Sequence, residues 1–139
     1  MSARETVLDY YEALRRGEPL DPYFAERPDV VKVGVFSRRV GHDAVAEGLR
    51  EQGRTTDDWT VDSHDLRVQE TDAYARFTDR VDLAWRDTAD GASYAFETRW
   101  SGVLDPREAK HGVEWRFLDI HVSAPHDRER QIDDTSGSS

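Results

Sequence analysis

Three long stretches in the second half of the chain alternate side chains with a period of two, and that pattern leaves little choice of fold. Over residues 73–87, Phe77, Val81, Leu83 and Trp85 share one face with Asp79. Tyr74, Arg76, Thr78, Arg80, Asp82 and Arg86 take the other. Over 93–104, Tyr94, Phe96, Thr98 and Trp100 oppose Glu97, Arg99 and Ser101. Over 113–123, Trp115, Phe117, Asp119, His121 and Ser123 alternate with Arg116, Leu118, Ile120 and Val122. Asp90-Gly91 reads as a tight type I′ hairpin, and the polar run 105–112 as a loop. With a strand over 59–69, the pattern predicts a four-strand antiparallel meander.

The first half reads as helix. Ser2-Ala3-Arg4-Glu5 is a capping box, Val7, Tyr10, Tyr11 and Leu14 follow at helical spacing, and Gly17 suits the end, giving a helix over 3–16. Residues 20–26, with Pro22, read as a short helical turn or an irregular crossing. Residues 30–33 form a small strand that 36–40 continue. Asp43 is placed to cap a second helix carrying Val45 and Leu49 and ending near Gly53, despite Gly48 inside it. Residues 54–58 read as a loop. The last fifteen residues, 125–139, hold one apolar side chain and end in Ser and Gly, a composition expected to be disordered.

The length, 139 residues, fits one domain over 1–124 plus that tail, and supports one core. Four Trp, five Tyr and five Phe offset an apolar fraction of only 37%. There is no cysteine, which removes disulfides, thiolate catalysis and cysteine-bound zinc. The N-terminus has no apolar signal-like region and no stretch is long enough for a membrane helix, so a cytoplasmic protein without membrane partners is expected. The net charge of -10 argues against nucleic acid. Seventeen Arg, two Lys, eighteen Asp and eleven Glu suggest a salt-adapted, halophilic surface; an ordinary acidic protein is the alternative.

The element order, with Ala73-Tyr74-Ala75-Arg76-Phe77-Thr78, Glu97-Thr98-Arg99-Trp100 and Ile120-His121-Val122-Ser123, resembles the SnoaL-like proteins of the NTF2-like (cystatin-like cone) superfamily. Those strand motifs are similar to the association domain of calcium/calmodulin-dependent kinase II. The resemblance implies an α+β cone with N-terminal helices packed on a curved antiparallel sheet. It also implies a pocket in which Arg76 and Arg99 bind a small anion, although Val122 stands where that domain has a third arginine. Tyr74, Glu97 and Trp59 would shape the site. The plainer reading is an Arg–Glu pair neutralised across strands on a solvated face.

Three functional readings follow: a small-molecule-binding protein, a ketosteroid-isomerase-like or polyketide-cyclase-like enzyme, and a structural oligomerisation module. For the enzyme, Tyr10 stands where the resemblance places an oxyanion donor, but Val33 and Gly34 occupy the neighbourhood of its carboxylate base. Asp79 and His42 are the other catalytic candidates. An isolated Asp is more often held by an arginine, and His42 reads equally as a surface residue near the cone mouth. The histidines show no metal-binding spacing and no nucleotide motif appears, so neither metal nor cofactor is expected. His121 reads as a buried structural or interface histidine. One aromatic face and one face mixing Tyr, Arg and Glu suggest two covers and a homodimer, with a monomer whose helices cover everything aromatic as the alternative.

Overall fold

A computed structural model describes residues 1–125. The expected disorder of 125–139 lies, but for Pro125, outside the described residues. Helix α1 (Ala3–Arg16) begins at the Ser2–Glu5 capping box and ends at Gly17, whose φ of 70° suits a residue without a Cβ. A 3-10 turn (Asp21–Tyr23) with Pro22 at its start follows. Strands β1 (Val31–Val33) and β2 (Arg38–Val40) precede α2 (His42–Thr55). Then come β3 (Thr56–Ser63), β4 (Arg67–Glu70), β5 (Ala75–Asp87), β6 (Ser93–Ala109) and β7 (Gly112–Ser123).

The strands form one sheet in the order β2-β1-β7-β6-β5-β3, with β4 also on β5. All pairings are antiparallel except β1 on β7, which is parallel. The fold is α+β. The concave face wraps α1: Tyr10 meets the rings of Tyr23, Phe24, Trp100 and Phe117 edge-on at centroid distances of 5.2–6.2 Å. Such edge contacts add to the large apolar area each ring buries.

Several elements depart from the sequence reading, each for a local reason. Residues 36–40 do not continue β1; Gly34 N–H donates to the Ser37 carbonyl and turns the chain back as a hairpin. Helix α2 is capped at Gly41, with φ 91°, and not at Asp43. The expected loop 54–58 is instead the junction of α2 and β3. The Thr55 and Thr56 hydroxyls donate back to the carbonyls of Glu51 and Gln52, and Asp57 forms a paired contact with Arg86 on β5. The strand expected over 59–69 is broken into β3 and β4, because Ser63 and Asp65 turn inward to bind Asp79.

The Asp90-Gly91 turn is a wider loop over 88–92, held by the Asp87 and Asp90 carboxylates accepting from Ala89 and Ala92 N–H. The polar run 105–112 is mostly strand, since it pairs with β7 as far as Ala109 opposite Gly112. In β7 the register shifts at Val103/Leu104, where Leu118 is passed over. That bulge moves every later side chain to the other face. Ile120 and Val122 therefore point into the core with Trp115 and Phe117, while His121 is exposed and Asp119 only partly covered.

Candidate functional site

The concave face is not filled completely. Between α1, the β1–β2 hairpin, α2 and the sheet lies a cavity of about 120 Å³. Its walls are Leu14, Trp59, Leu83, Trp85, Trp100, Ile120 and Val122. Trp59 stacks on Trp85 at 4.7 Å with the planes 17° apart, and Trp85 stacks in turn on Tyr94 at 5.5 Å. The Trp59 indole is fixed by its N–H donating to Thr56 Oγ1 at 2.9 Å. Phe36, at the tip of the hairpin, closes the lip against Trp85, Tyr94 and Phe96 yet remains 71% exposed.

Four polar side chains reach this apolar space: Tyr10, Lys32, Ser37 and Gln52. Lys32 is placed by the parallel β1–β7 pairing, in which it stands beside Ile120, a core residue. Across the hairpin it faces Arg39. The Arg39 side chain in turn lies against α2, where a Cβ on Gly48 would come within 3.2 Å of its Nε; the helical glycine makes room for it. Among the described residues Lys32 has neither an ion-pair nor a hydrogen-bond partner. Burial, and secondarily the Arg39 charge, push its amine down to about 8. Tyr10 is 2% exposed and its phenol is raised well above the ordinary range by burial, so it stays a neutral hydrogen-bond donor.

The sequence-derived site is distributed differently. Trp59 and Tyr10 line the cavity. Arg76 and Arg99 do not: both project from the convex face and are exposed. Strand alternation forces this, since Phe77 and Trp100, their chain neighbours, are drawn inward. Arg76 lies in a surface groove with Arg67 and donates to Gln69 Oε1 at 2.9 Å. Arg99 lies opposite Arg80, in a second groove with His121 and Ser101. Tyr74 and Glu97 are also exposed, Glu97 opposite Asp82. His121, expected to be buried, is on this outer surface too. His42 sits at the start of α2, 3.8 Å from Asp43, and does not line the cavity.

Asp79 is 4% exposed, and among the described residues no arginine holds it. Its Oδ2 accepts from the hydroxyls of Tyr11 at 2.8 Å and Ser63 at 2.6 Å, and its Oδ1 from Asp65 N–H at 2.9 Å. It ties α1, β3 and the turn after β3 to β5. The Tyr11 phenol is raised by burial and by the adjacent carboxylate. With its acceptor sites engaged, Asp79 is a structural anchor.

The residue the sequence reading passed over is Lys32. The signal was there: one of two lysines in a chain of seventeen arginines, set within the apolar run Val30-Val31-Lys32-Val33. No group of three His, Asp or Glu side chains able to hold a metal occurs among the described residues. No helix among them is long and apolar enough to cross a membrane.

The SnoaL-like domain model matches residues 3–127. The chain belongs to the SnoaL-like family. Solved structures agree with the cone architecture of this SnoaL-like protein. It is similar to an NTF2-like superfamily protein from Salmonella enterica serovar Typhimurium, at 18% identity over 89% of each chain with a TM-score of 0.74. It is similar to a ketosteroid isomerase-like protein from Erwinia carotovora atroseptica, at 17% identity over 89% of this chain and 94% of that one, TM-score 0.70. A third similar structure is a candidate calcium/calmodulin dependent protein kinase II association domain from Xanthomonas campestris, at 19% identity over 91% and 90%, TM-score 0.70. At these identities the likeness is one of fold. No curated protein matches the chain.

Proposed function

We propose that this SnoaL-like protein binds a small molecule in the inner cavity, a single planar ring bearing an anionic or strongly polarised oxygen. The ring lies against Trp59, Trp85 and Trp100, and the oxygen meets Lys32. The observation that carries the reading is an amine on an apolar wall with no acidic partner among the described residues. Keeping an ammonium there is costly unless something offsets its lost hydration. A ligand oxygen does so, and Arg39 behind it reinforces the positive field. Size caps the ligand at a single ring, since an apolar cavity of about 150 Å³ holds one benzene ring and this one is about 120 Å³. The anionic ligand inferred from the sequence is kept, while its anchor moves from Arg76 and Arg99 to Lys32.

Benzoate is the simplest probe. It raises the thermal midpoint of the wild type, an effect lost in Lys32→Met and retained in Arg76→Ala and Arg99→Ala. No shift in the wild type, or an equal shift in Lys32→Met, contradicts the reading.

A catalytic reading is favoured by the sharing of one cavity between a neutral phenol, Tyr10, and an amine, Lys32. These are a hydrogen-bond donor and a base, the pair that enolate chemistry requires. Lys32-dependent exchange of the α-protons of cyclohexanone in heavy water tests it.

The convex face supports a homodimer. Arg80 opposite Arg99 and Asp82 opposite Glu97 make adjacent bands of opposite charge. A second copy turned by a two-fold axis sets each band against its complement.

A further inference from the structure

We propose that Lys32 is a covalent capture site, forming an imine with a one-ring aromatic aldehyde held in the inner cavity. This rests on the reading that the cavity takes a single ring. The geometry supplies what amine addition needs. Lys32 faces Arg39 across the hairpin, so its charged form is opposed by a neighbouring cation. Among the described residues no carboxylate lines the cavity to restore that charge. Trp59, Trp85 and Trp100 on its wall offer flat apolar surfaces to a ring. Lysines desolvated in this way or set beside a second cation are the ones that act as nucleophiles. The amine is correspondingly pushed down to about 8, leaving a usable neutral fraction near neutral pH.

The step is balanced without any redox partner. The neutral amine lone pair attacks the carbonyl carbon, a C–N bond forms and the carbonyl π bond breaks. A proton from the nitrogen passes to the oxygen to give a carbinolamine. The C–O bond then breaks, the C=N bond forms, and the remaining nitrogen proton leaves with the hydroxyl as one water. Tyr10 and Ser37 are the hydroxyl groups on the cavity wall available to hydrogen-bond the carbinolamine oxygen.

Lys32 and Lys110 are the only lysines, which makes the test clean. The full chain is incubated with benzaldehyde at mildly alkaline pH, reduced with cyanoborohydride, digested and mapped by mass spectrometry. The expected result is a benzyl adduct on Lys32 at least about tenfold above that on Lys110 and above that on the Met1 amine, suppressed by excess benzoate. Labelling that favours Lys110 and Met1 over Lys32 overturns the imine proposal. If benzoate still stabilises the unlabelled protein, the binding reading stands and only capture fails; if benzoate has no effect either, both fail.

Discussion

Lys32 stands directly opposite Arg39 across the β1–β2 hairpin, two cations on one face with no acidic residue on the cavity wall beside them. The groups around the amine are Arg39 from β2, the Tyr10 phenol from α1, Gln52 from α2 and the aromatic walls from the sheet. The pH consequence has a definite sign. Below pH 8 the amine is protonated in both folded and unfolded chains, and the folded state bears the cost of the partly buried charge. Between about 8 and the ordinary 10.5 the folded chain holds fewer protons, so the penalty shrinks as pH rises. Lys32→Met should therefore be more stable than wild type by up to about 3 kcal/mol at pH 7, with the gap closing by pH 10.5. Denaturant melts of both proteins across that range check it; a gap that does not change with pH contradicts it.

The anchor at Asp79 should be strongly coupled to Tyr11. Tyr11→Phe removes one charged hydrogen bond and should cost about 1.5–3 kcal/mol. Asp79→Ala strands the buried Tyr11 hydroxyl and two part-buried donors, the Ser63 hydroxyl and the Asp65 N–H, and should cost more, about 3 kcal/mol or above. Because both changes break the same 2.8 Å bond, their sum should exceed the cost of the double variant. Urea unfolding of the four proteins measures the coupling, and simple additivity would count against a shared anchor.

Gly102 should not tolerate a methyl group. It sits in β6 beneath Phe77, and a Cβ there would collide with the Asp119 carbonyl and the Phe77 ring. Gly102→Ala should destabilise by about 1–3 kcal/mol or more, since the backbone half of that contact cannot rotate away. Gly53→Ala, on open surface, is the control and should be neutral or slightly stabilising.

For the convex face, Arg99→Glu should push a homodimer towards monomer by placing like charges across the two-fold, and Asp82→Arg should partly restore it. Sedimentation equilibrium at several salt concentrations reads this directly. A wild type that is monomeric throughout removes the dimer.

The large features of this fold were legible because they repeat. The capping box and the Tyr10–Leu14 spacing mark α1, and the alternation through Phe77–Val81–Leu83 and Phe96–Thr98–Trp100 marks both the strands and their buried face. The site was not legible for the opposite reason: it depends on single events. The passing over of Leu118 in β7 reverses Ile120 and Val122, and nothing in the local sequence announces it. The hairpin at Gly34–Ser37 brings Lys32 and Phe36 over the sheet, where a continuous strand would have carried them along an edge. The arginines of the 74–78 and 97–100 motifs attracted attention as anion ligands, yet the alternation that located the core already put them outside it.

The most direct measurement is an NMR titration of the lysine ε-carbons, since the chain has only Lys32 and Lys110 to resolve. Lys32 should titrate near 8, and benzoate should move it upward by stabilising the ammonium. A Lys32 that titrates at the ordinary lysine value near 10.5, unmoved by benzoate, would contradict the lowered amine on the cavity wall.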